Sequence, residues 1–358
     1  MRQEIEEILK ETPNVKAKDI AKRLGVDKKA INPILYANDE IFVRDENYCW
    51  SLARPSHLRI ELPQNEWVSC TSFEESLLAQ GSPLDSDAES IEFIVPEKCC
   101  VLLDAASRLL ALCNQLADFG KSVKIDFSDC VSTLRYFDRI GILKHLDERV
   151  EVLPNRPSIS RADIYKGNSD AVVEFGSVDP AQSNKILINQ LVDRFVAQAS
   201  DTYEGAASTV FGELINNIKD HSESRLKGFA ALQKYGGRRH HIQTVVSDSG
   251  LGIATTLKPS IEAHHPSLFR HSNQDDYDIK IVTAVITKGE ISRFGAGRGL
   301  GFKSSREQAI KFDAKLSVRQ KDFALDLVYK NGELVKIDTH TNLATIHGTH
   351  LCFDFFVD

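Results

Sequence analysis

The sequence predicts an α+β protein built from several domains. Its 358 residues leave room for two or three domains of ordinary size. Three observations predict the class: helical stripes followed by a hairpin pattern at the start, strands alternating with helices in the middle, and a helix followed by apolar strands and glycine-rich turns at the end. We place the domains at 1–53, 91–157 and 186–358, with linkers at 54–90 and 158–185.

Composition excludes several classes of protein. Hydrophobic residues make up 42% and charged residues 27%, as in soluble globular proteins. The net charge of −7 gives no overall attraction to nucleic acid, so any such contact must use a local patch. The seven cysteines form no C-x-x-C pair, which indicates reduced core residues of a cytoplasmic protein. No apolar run approaches the ~18 residues of a membrane helix, so we expect neither export nor a membrane span.

The first domain has the pattern of a winged helix-turn-helix. Gly25 stops the second helix, and Asp27 is placed to cap the third. The predicted elements are a helix on the stripe Ile5, Ile8 and Leu9, a helix from Val15 to Leu24, a helix from Lys28 to about Ala37, and strands at 41–43 and 48–52. Three helices followed by a two-stranded wing are typical of this fold.

The third helix, D-K-K-A-I-N-P-I-L-Y, suggests a partner for this domain. Lys28, Asn32 and Tyr36 lie four apart on one face, and Trp50 falls in the second wing strand. In these residues the domain resembles the Zα family, which binds left-handed nucleic-acid duplexes, and the resemblance implies that the four contact phosphates and stack on a base. The wing reads E-N-Y-C-W where the family has prolines. Winged helices also dock proteins, so a duplex of either hand and a protein partner stay open.

The middle of the chain predicts a small α/β domain after an irregular linker. Residues 54–90 contain P-Q-N, G-S-P and D-S-D-A-E-S with little periodicity. From residue 91 the strands I-E-F-I-V, V-K-I-D-F and V-E-V-L alternate with helices at 102–119 and 136–146. This pattern resembles the STAS domain of anti-sigma-factor antagonists, which implies a protein partner. The family's D-S-S-G phosphorylation sequence is replaced by D-F-S-D-C around Ser128.

The last domain carries three short motifs in a fixed order. F-G-E-L-I-N-N-I-K-D-H-S has Glu213, Asn217 and His221 four residues apart, which puts them on one helical face. H-I-Q-T-V-V-S-D-S-G-L-G-I is typical of a strand that ends at Asp248 and turns on glycines. G-A-G-R-G-L-G-F-K-S-S, residues 295–305, precedes a helical pattern and is typical of a phosphate-binding loop at a helix N-terminus.

Together the motifs resemble the ATP-binding domain shared by gyrase, Hsp90, histidine kinases and MutL, the GHKL superfamily. The resemblance covers residues 186–358 and implies an α/β two-layer sandwich that binds ATP and Mg²⁺. By position, Glu213 would activate the attacking nucleophile and Asn217 would bind Mg²⁺. The other implied contacts are Asp248 at the adenine amino group, Gly250 and Gly252 beside the base, Thr349 behind it and bonded to the aspartate or a water, and Gly297, Gly299, Leu300 and Gly301 at the phosphates.

The residue types agree with that chemistry on their own terms. Hydrolysis needs a carboxylate near the γ-phosphate and an oxygen ligand for Mg²⁺, and one helical face supplies both. Asn216 points about 100° away from that face. Residues 254–294 correspond to the lid of the family, and its histidines His264, His265 and His271 lack the spacing of a metal site. We therefore expect a mobile polar lid there.

These features predict a cytoplasmic regulatory or switch protein in which a Mg-ATPase site is coupled to the nucleic-acid-binding or partner-docking winged helix. Two alternatives stay open. One is a serine protein kinase of the anti-sigma-factor type that acts on a STAS-like domain. The other is a nucleic-acid regulator that binds ATP without turnover. Glu213 fits the first two readings, because a base can activate either water or a serine hydroxyl.

Overall fold

The computed structural model describes residues 1–39, 41–52, 57–179, 182–221, 224–237, 240–264, 277–288 and 313–356. These residues form helices and several sheets, in agreement with the predicted mixture of α and β structure. They divide into two compact units, one from Met1–Ser56 with Asp87–Glu89 and one from His57–Ser86 with Ser90–Asp358. Within the described ranges no helix is long and apolar enough to cross a membrane.

The first unit follows the predicted order of three helices and a hairpin. Its elements are α1 (Arg2–Glu11), β1 (Val15–Lys16), α2 (Ala17–Leu24), α3 (Lys28–Ala37), β2 (Phe42–Arg44) and β3 (Cys49–Leu52). The second helix begins two residues later than predicted, because Val15 and Lys16 instead pair with β3. The Asp27 carboxylate caps α3 as expected, accepting from the Lys29 amide at 2.7 Å. Ile5, Ile20 and Leu35 fill the core of this unit.

The second unit begins with parallel strands and the helices that connect them. Its first elements are β4 (His57–Glu61), β5 (Trp67–Val68), α4 (Cys70–Gln80), β6 (Ser90–Ile94), β7 (Cys100–Val101), α5 (Leu103–Asp118), β8 (Ser122–Asp126), α6 (Val131–Arg139), α7 (Ile142–His145), β9 (Glu151–Leu153) and α8 (Arg161–Ile164). Among the described residues β4, β6, β8 and β9 lie side by side in that order, all parallel, and we call them the parallel sheet. The predicted strand–helix alternation is confirmed there.

The predicted linker at 54–90 is wrong for most of its length. It contains β4, β5 and α4, and β4 pairs with β6 from His57 opposite Ser90 to Glu61 opposite Ile94. The strand reads H-L-R-I-E, with only Ile60 fully buried, so its apolar content is too low to stand out from a polar segment. Pairing with an apolar neighbour, rather than its own propensity, makes it a strand.

The rest of the second unit is an antiparallel sheet with helices. Its elements are β10 (Val172–Val178), α9 (Lys185–Gln198), a 3₁₀ turn (Asp201–Tyr203), α10 (Glu204–His221), β11 (Gly228–Tyr235), β12 (His241–Ser247), α11 (Ile253–His264), α12 (Tyr277–Lys288), β13 (Ala314–Arg319), β14 (Ala324–Lys330), β15 (Glu333–His340) and β16 (His350–Phe356). In the described part of the chain the strand order is β10-β11-β12-β16-β13-β14-β15, and we call these strands the antiparallel sheet.

Two further predictions are corrected here. The linker at 158–185 contains α8 and β10, and β10 extends the antiparallel sheet by pairing with β11. Its sequence V-V-E-F-G-S-V is interrupted by Glu174 and Gly176, which weakens the strand pattern. The expectation of a polar lid is wrong for α11 and α12, because Ile261, Ile281 and Val285 lie in the hydrophobic core. Residues 265–276 and 289–312, including His265 and His271, lie outside the described residues.

The two faces of the antiparallel sheet differ in polarity. Ile242, Val246 and Phe353 belong to the apolar core that the sheet shares with α9 to α12. Alternate residues on the other face, among them Gln243 and Arg319, are polar and nevertheless buried. Helix α5 packs against this second face, so that it lies between the two sheets. The predicted two-layer sandwich therefore describes only one side of the sheet.

Candidate functional site

The predicted adenine contact, Asp248, lies at one end of the central strands of the antiparallel sheet. Asp248 follows β12, Thr349 precedes β16, and Gln320 follows β13. Because β16 runs antiparallel to both neighbours, these three residues meet at the same edge of the sheet. The Asp248 amide donates to the Thr349 carbonyl oxygen over 2.9 Å. The structure therefore brings together two residues that the sequence assigns to one site.

The Asp248 carboxyl group is buried and weakly compensated. Only 8% of the residue is exposed, and one carboxylate oxygen accepts from the Gly250 amide at 2.7 Å. Burial raises the pKa of Asp248 from its usual 3.8 to about 6, and backbone hydrogen bonds from Gly250 and Thr349 offset only part of that rise. A ligand that donates a further hydrogen bond would stabilise the ionised form. In the loop that follows, Leu251 is half exposed.

Gln320 belongs to this site, although it lies in none of the three sequence motifs. It is buried, and its amide nitrogen donates to the Thr349 hydroxyl over 3.2 Å. Its amide oxygen accepts from the amide of Ile253, the first residue of α11, at 2.8 Å. The Thr349 hydroxyl is thus hydrogen-bonded to Gln320, and the Thr349 carbonyl oxygen is hydrogen-bonded to the Asp248 amide. Strand β13 reads A-K-L-S-V-R before Gln320, so no local sequence signal marks this residue.

Two glycines let the loops at this edge approach each other. Gly252, a predicted site residue, has φ 78°, and a Cβ there would lie 2.9 Å from the Gln320 amide oxygen. Gly348 has φ 98°, and a Cβ there would lie only 2.0 Å from the Asp248 carbonyl oxygen. Any other residue at 348 would force the two loops apart.

The predicted catalytic and metal-binding residues lie on α10, as expected. Glu213 and Asn217 are both half-buried, whereas Asn216 is exposed, which agrees with the predicted face. The Asn217 amide nitrogen is buried without a hydrogen-bond partner among the described residues. The next residue, Ile218, has a methyl carbon 2.8 Å from the Cβ position of Gly228, which is itself 3.0 Å from the Ser247 carbonyl oxygen. Asn217 therefore lies at the Asp248 end of the sheet.

Part of the predicted site is not covered by the structure. Gly297, Gly299, Leu300 and Gly301 lie outside the described residues, and so does the side chain of His221. The predicted phosphate loop stays a prediction. The described residues include the positions predicted to contact the adenine base, to activate the attacking nucleophile and to bind the metal ion.

A cavity of about 250 Å³ lies elsewhere in the second unit. Its lining includes Trp67, Leu102, Tyr136 and Tyr235, at the start of α5 and beside β11. The Tyr136 hydroxyl donates to the Gln233 amide oxygen over 2.7 Å. None of the predicted nucleotide-site residues lines this cavity.

The predicted nucleic-acid residues of the first unit lie on or beside α3. Lys28 and Tyr36 are exposed and Asn32 is half-buried, so this helix face is open to a partner. Trp50 is only 5% exposed and belongs to the core, and its ring meets the Tyr36 ring edge to face at 5.0 Å. Trp50 therefore supports Tyr36 but offers little surface of its own for contact.

Arg44, which is not among the predicted contact residues, lies beside Tyr36 on this surface. Its guanidinium carbon lies 5.3 Å from the Tyr36 ring centre and 4.8 Å from that of Tyr48, and it donates to the Tyr36 hydroxyl. A cation held by aromatic rings is well placed to meet a phosphate. Arg44 therefore adds a positive charge beside Tyr36, at the face of α3 that carries the predicted contacts.

No known protein family matches this chain, and no curated protein matches it significantly. The functional assignment therefore depends on the geometry and chemistry of the two surfaces just described.

Proposed function

We propose that the second unit binds ATP with Mg²⁺ and acts as the switch of a regulatory protein whose first unit binds nucleic acid. The observation that carries the proposal is the buried Asp248 carboxylate at the end of the central strands, where it lies beside Thr349 and has an elevated pKa. Perturbed carboxylates in such positions are characteristic of binding sites. The adenine amino group is a donor that would compensate this charge.

Each residue of the proposed site has a separate role. Asp248 selects adenine by accepting from its amino group, Gly252 lets the backbone approach the base, and Thr349 lies behind it. Asn217 is the half-buried amide that would bind Mg²⁺ through its oxygen, and its buried nitrogen would meet a phosphate oxygen. Mg²⁺, when bound, neutralises charge on the phosphates. Glu213 accepts the proton of the attacking nucleophile.

Glu213→Ala is expected to lower phosphate release from ATP by about 10²- to 10⁴-fold, because it removes the general base. Nucleotide affinity should change little. The measurement is release of labelled phosphate from γ-labelled ATP with Mg²⁺. Glu204→Ala is the matched control, since Glu204 is an exposed glutamate at the start of the same helix.

The same assay separates the alternatives. Free phosphate supports the ATPase, labelled protein supports a protein kinase, and neither product with retained binding supports a regulator that binds without turnover. Equal rates in Glu213→Ala and the unaltered protein would contradict the role of Glu213.

Tyr36→Ala is expected to weaken duplex binding by the first unit by roughly 5- to 150-fold, because stacking on one base is worth about 1–3 kcal/mol. Lys28→Ala should instead remove one phosphate contact, which lowers the slope of log affinity against log salt concentration by about one. Gel shifts with right- and left-handed duplexes test both, with the exposed Lys10→Ala in α1 as the control. If neither duplex is shifted, nucleic-acid binding is contradicted and the alternative of a protein-docking surface is favoured.

A further inference from the structure

Helix α5 presents a buried polar stripe to the antiparallel sheet. Asp104, Arg108 and Gln115 are each at most 6% exposed, and their spacings of four and seven place them on one face. The Asp104 amide donates to Gln243 over 3.1 Å, and Arg108 donates to Ser317 over 3.3 Å. The other neighbours of α5 include α4, α7 and β8. On this face, specific hydrogen bonds join the helix to the antiparallel sheet.

Gln115 lies directly against the proposed nucleotide site. Its amide nitrogen donates to the Ser249 hydroxyl at 2.8 Å and to the His347 carbonyl oxygen at 2.9 Å. Its amide oxygen accepts from the His347 amide, also at 2.9 Å. Ser249 follows Asp248, and His347 comes two residues before Thr349. One side chain thus joins the two loops that carry the predicted adenine contacts.

The hydrogen bonds of Gln115 with Ser249 and His347 restrain the positions of the two loops that they join. Gln115 is 2% exposed, so water does not replace a bond that is lost. The same two loops meet again where Gly348 approaches the Asp248 carbonyl group. A shift of α5 would move both loops relative to the edge of the sheet, because Gln115 holds them together.

We propose that Gln115 is a positioning residue of the nucleotide site and that the parallel sheet regulates nucleotide binding through α5. This inference rests on the proposed function. Coupling of this kind is reciprocal: if α5 alters nucleotide affinity, the nucleotide must alter the stability of α5. An event on the parallel sheet then reaches the site through one helix and one amide side chain.

The test compares Gln115→Met with Asn114→Leu. Asn114 is the neighbouring buried amide, and it also donates to a backbone carbonyl, that of His145 at 3.0 Å, and accepts from a backbone amide, that of Asp147 at 2.8 Å. Both substitutions keep a similar side-chain shape and remove buried hydrogen bonds, three at Gln115 and two at Asn114. Only Gln115 contacts the nucleotide loops, whereas Asn114 bonds within the parallel-sheet part of the unit.

We expect calorimetric titration to show that Gln115→Met binds Mg-ATP more weakly, by about tenfold or more, and that Asn114→Leu binds it with unchanged affinity. Hydrogen exchange should be faster at residues 248–253 and 344–350 in Gln115→Met alone. In the unaltered protein, ATP should slow exchange in residues 103–118, and Gln115→Met should abolish that effect.

The outcomes separate the two proposals. If the unaltered protein does not bind ATP but Gln115→Met still speeds exchange in the two loops, the positioning role stands and the proposed function fails. If ATP binds equally to both variants, or if exchange in the loops rises equally in both, the inference about Gln115 is overturned.

Discussion

Asp248→Asn is expected to lower the affinity for ATP strongly and to make the nucleotide-free protein more stable. The carboxylate is the acceptor for the adenine amino group, and losing a hydrogen bond to a charged group costs about 1.5–3 kcal/mol, or roughly 10- to 150-fold in affinity. The amide oxygen of asparagine keeps the bond from the Gly250 amide. The buried charge is removed, so its desolvation no longer opposes folding.

The stability gain has a defined pH dependence. Because folding raises the pKa of Asp248 from 3.8 to about 6, the native state binds more protons than the unfolded state between these pH values. Stability of the unaltered protein is therefore lost as pH rises through that range, by roughly 3 kcal/mol at most. Asparagine does not titrate, so the advantage of the variant should be full above pH 6 and absent near pH 4.

Thermal unfolding at pH 8 and pH 5, with calorimetric titration of Mg-ATP, measures both effects. Asp313→Asn provides a control at a half-buried aspartate whose carboxylate accepts from the Asn331 amide, beside β14. Unchanged ATP affinity in Asp248→Asn would remove Asp248 from the adenine contact. A variant less stable than the unaltered protein at pH 8 would show that the carboxylate is better compensated than its surroundings indicate.

Glu74→Ala is expected to destabilise the second unit by about 3–5 kcal/mol, since it leaves two buried guanidinium groups without their counter-ion. Glu74 accepts from Arg108 at 3.0 Å and from the Nε of Arg319 at 2.9 Å. Arg319 is fully buried, and Arg108 and Glu74 are nearly so. Neither guanidinium can reach water when the carboxylate is removed.

The neighbouring Glu75 is exposed in the same helix, so Glu75→Ala is the matched control and should change stability by less than about 0.5 kcal/mol. Urea or thermal unfolding measures the difference, which corresponds to a fall in the midpoint on the order of 10 °C. If the two variants unfold within about 1 kcal/mol of each other, the ion pairs do not hold the two sheets together.

The sequence predicts local elements better than it predicts what covers them. The helix at 102–119 and the strand ending before Asp248 follow from apolar periodicity and turn residues, and both are present in the structure. The alternation of polar residues along β12, β13 and β16 ordinarily indicates a face in water. Here that face is buried by α5, and no local pattern distinguishes a polar residue in water from one such as Arg319 with a distant partner 245 positions away.

The candidate site shows the same division. Asp248, Asn217 and Thr349 are proposed from the sequence because each lies in a stretch that resembles a motif of the GHKL superfamily. Gln320 and Gln115 are not, because their roles depend on which strands and helices become neighbours. The Gln115 contact with His347 spans 232 positions in the chain. Tertiary arrangement, which the sequence encodes only collectively, decides such contacts.

The place of β16 in the antiparallel sheet has a consequence for how the chain acquires its structure during synthesis. β16 is the last described strand, yet it lies between β12 and β13. Until β16 is synthesised, the edges of β12 and β13 that it pairs with in the folded sheet have no partner. The hydrogen bonds of Gln115 with His347 and of Arg108 with Ser317 likewise form only after the later residue of each pair has been synthesised. We therefore expect slow completion of this unit, with chaperone assistance most useful in that interval.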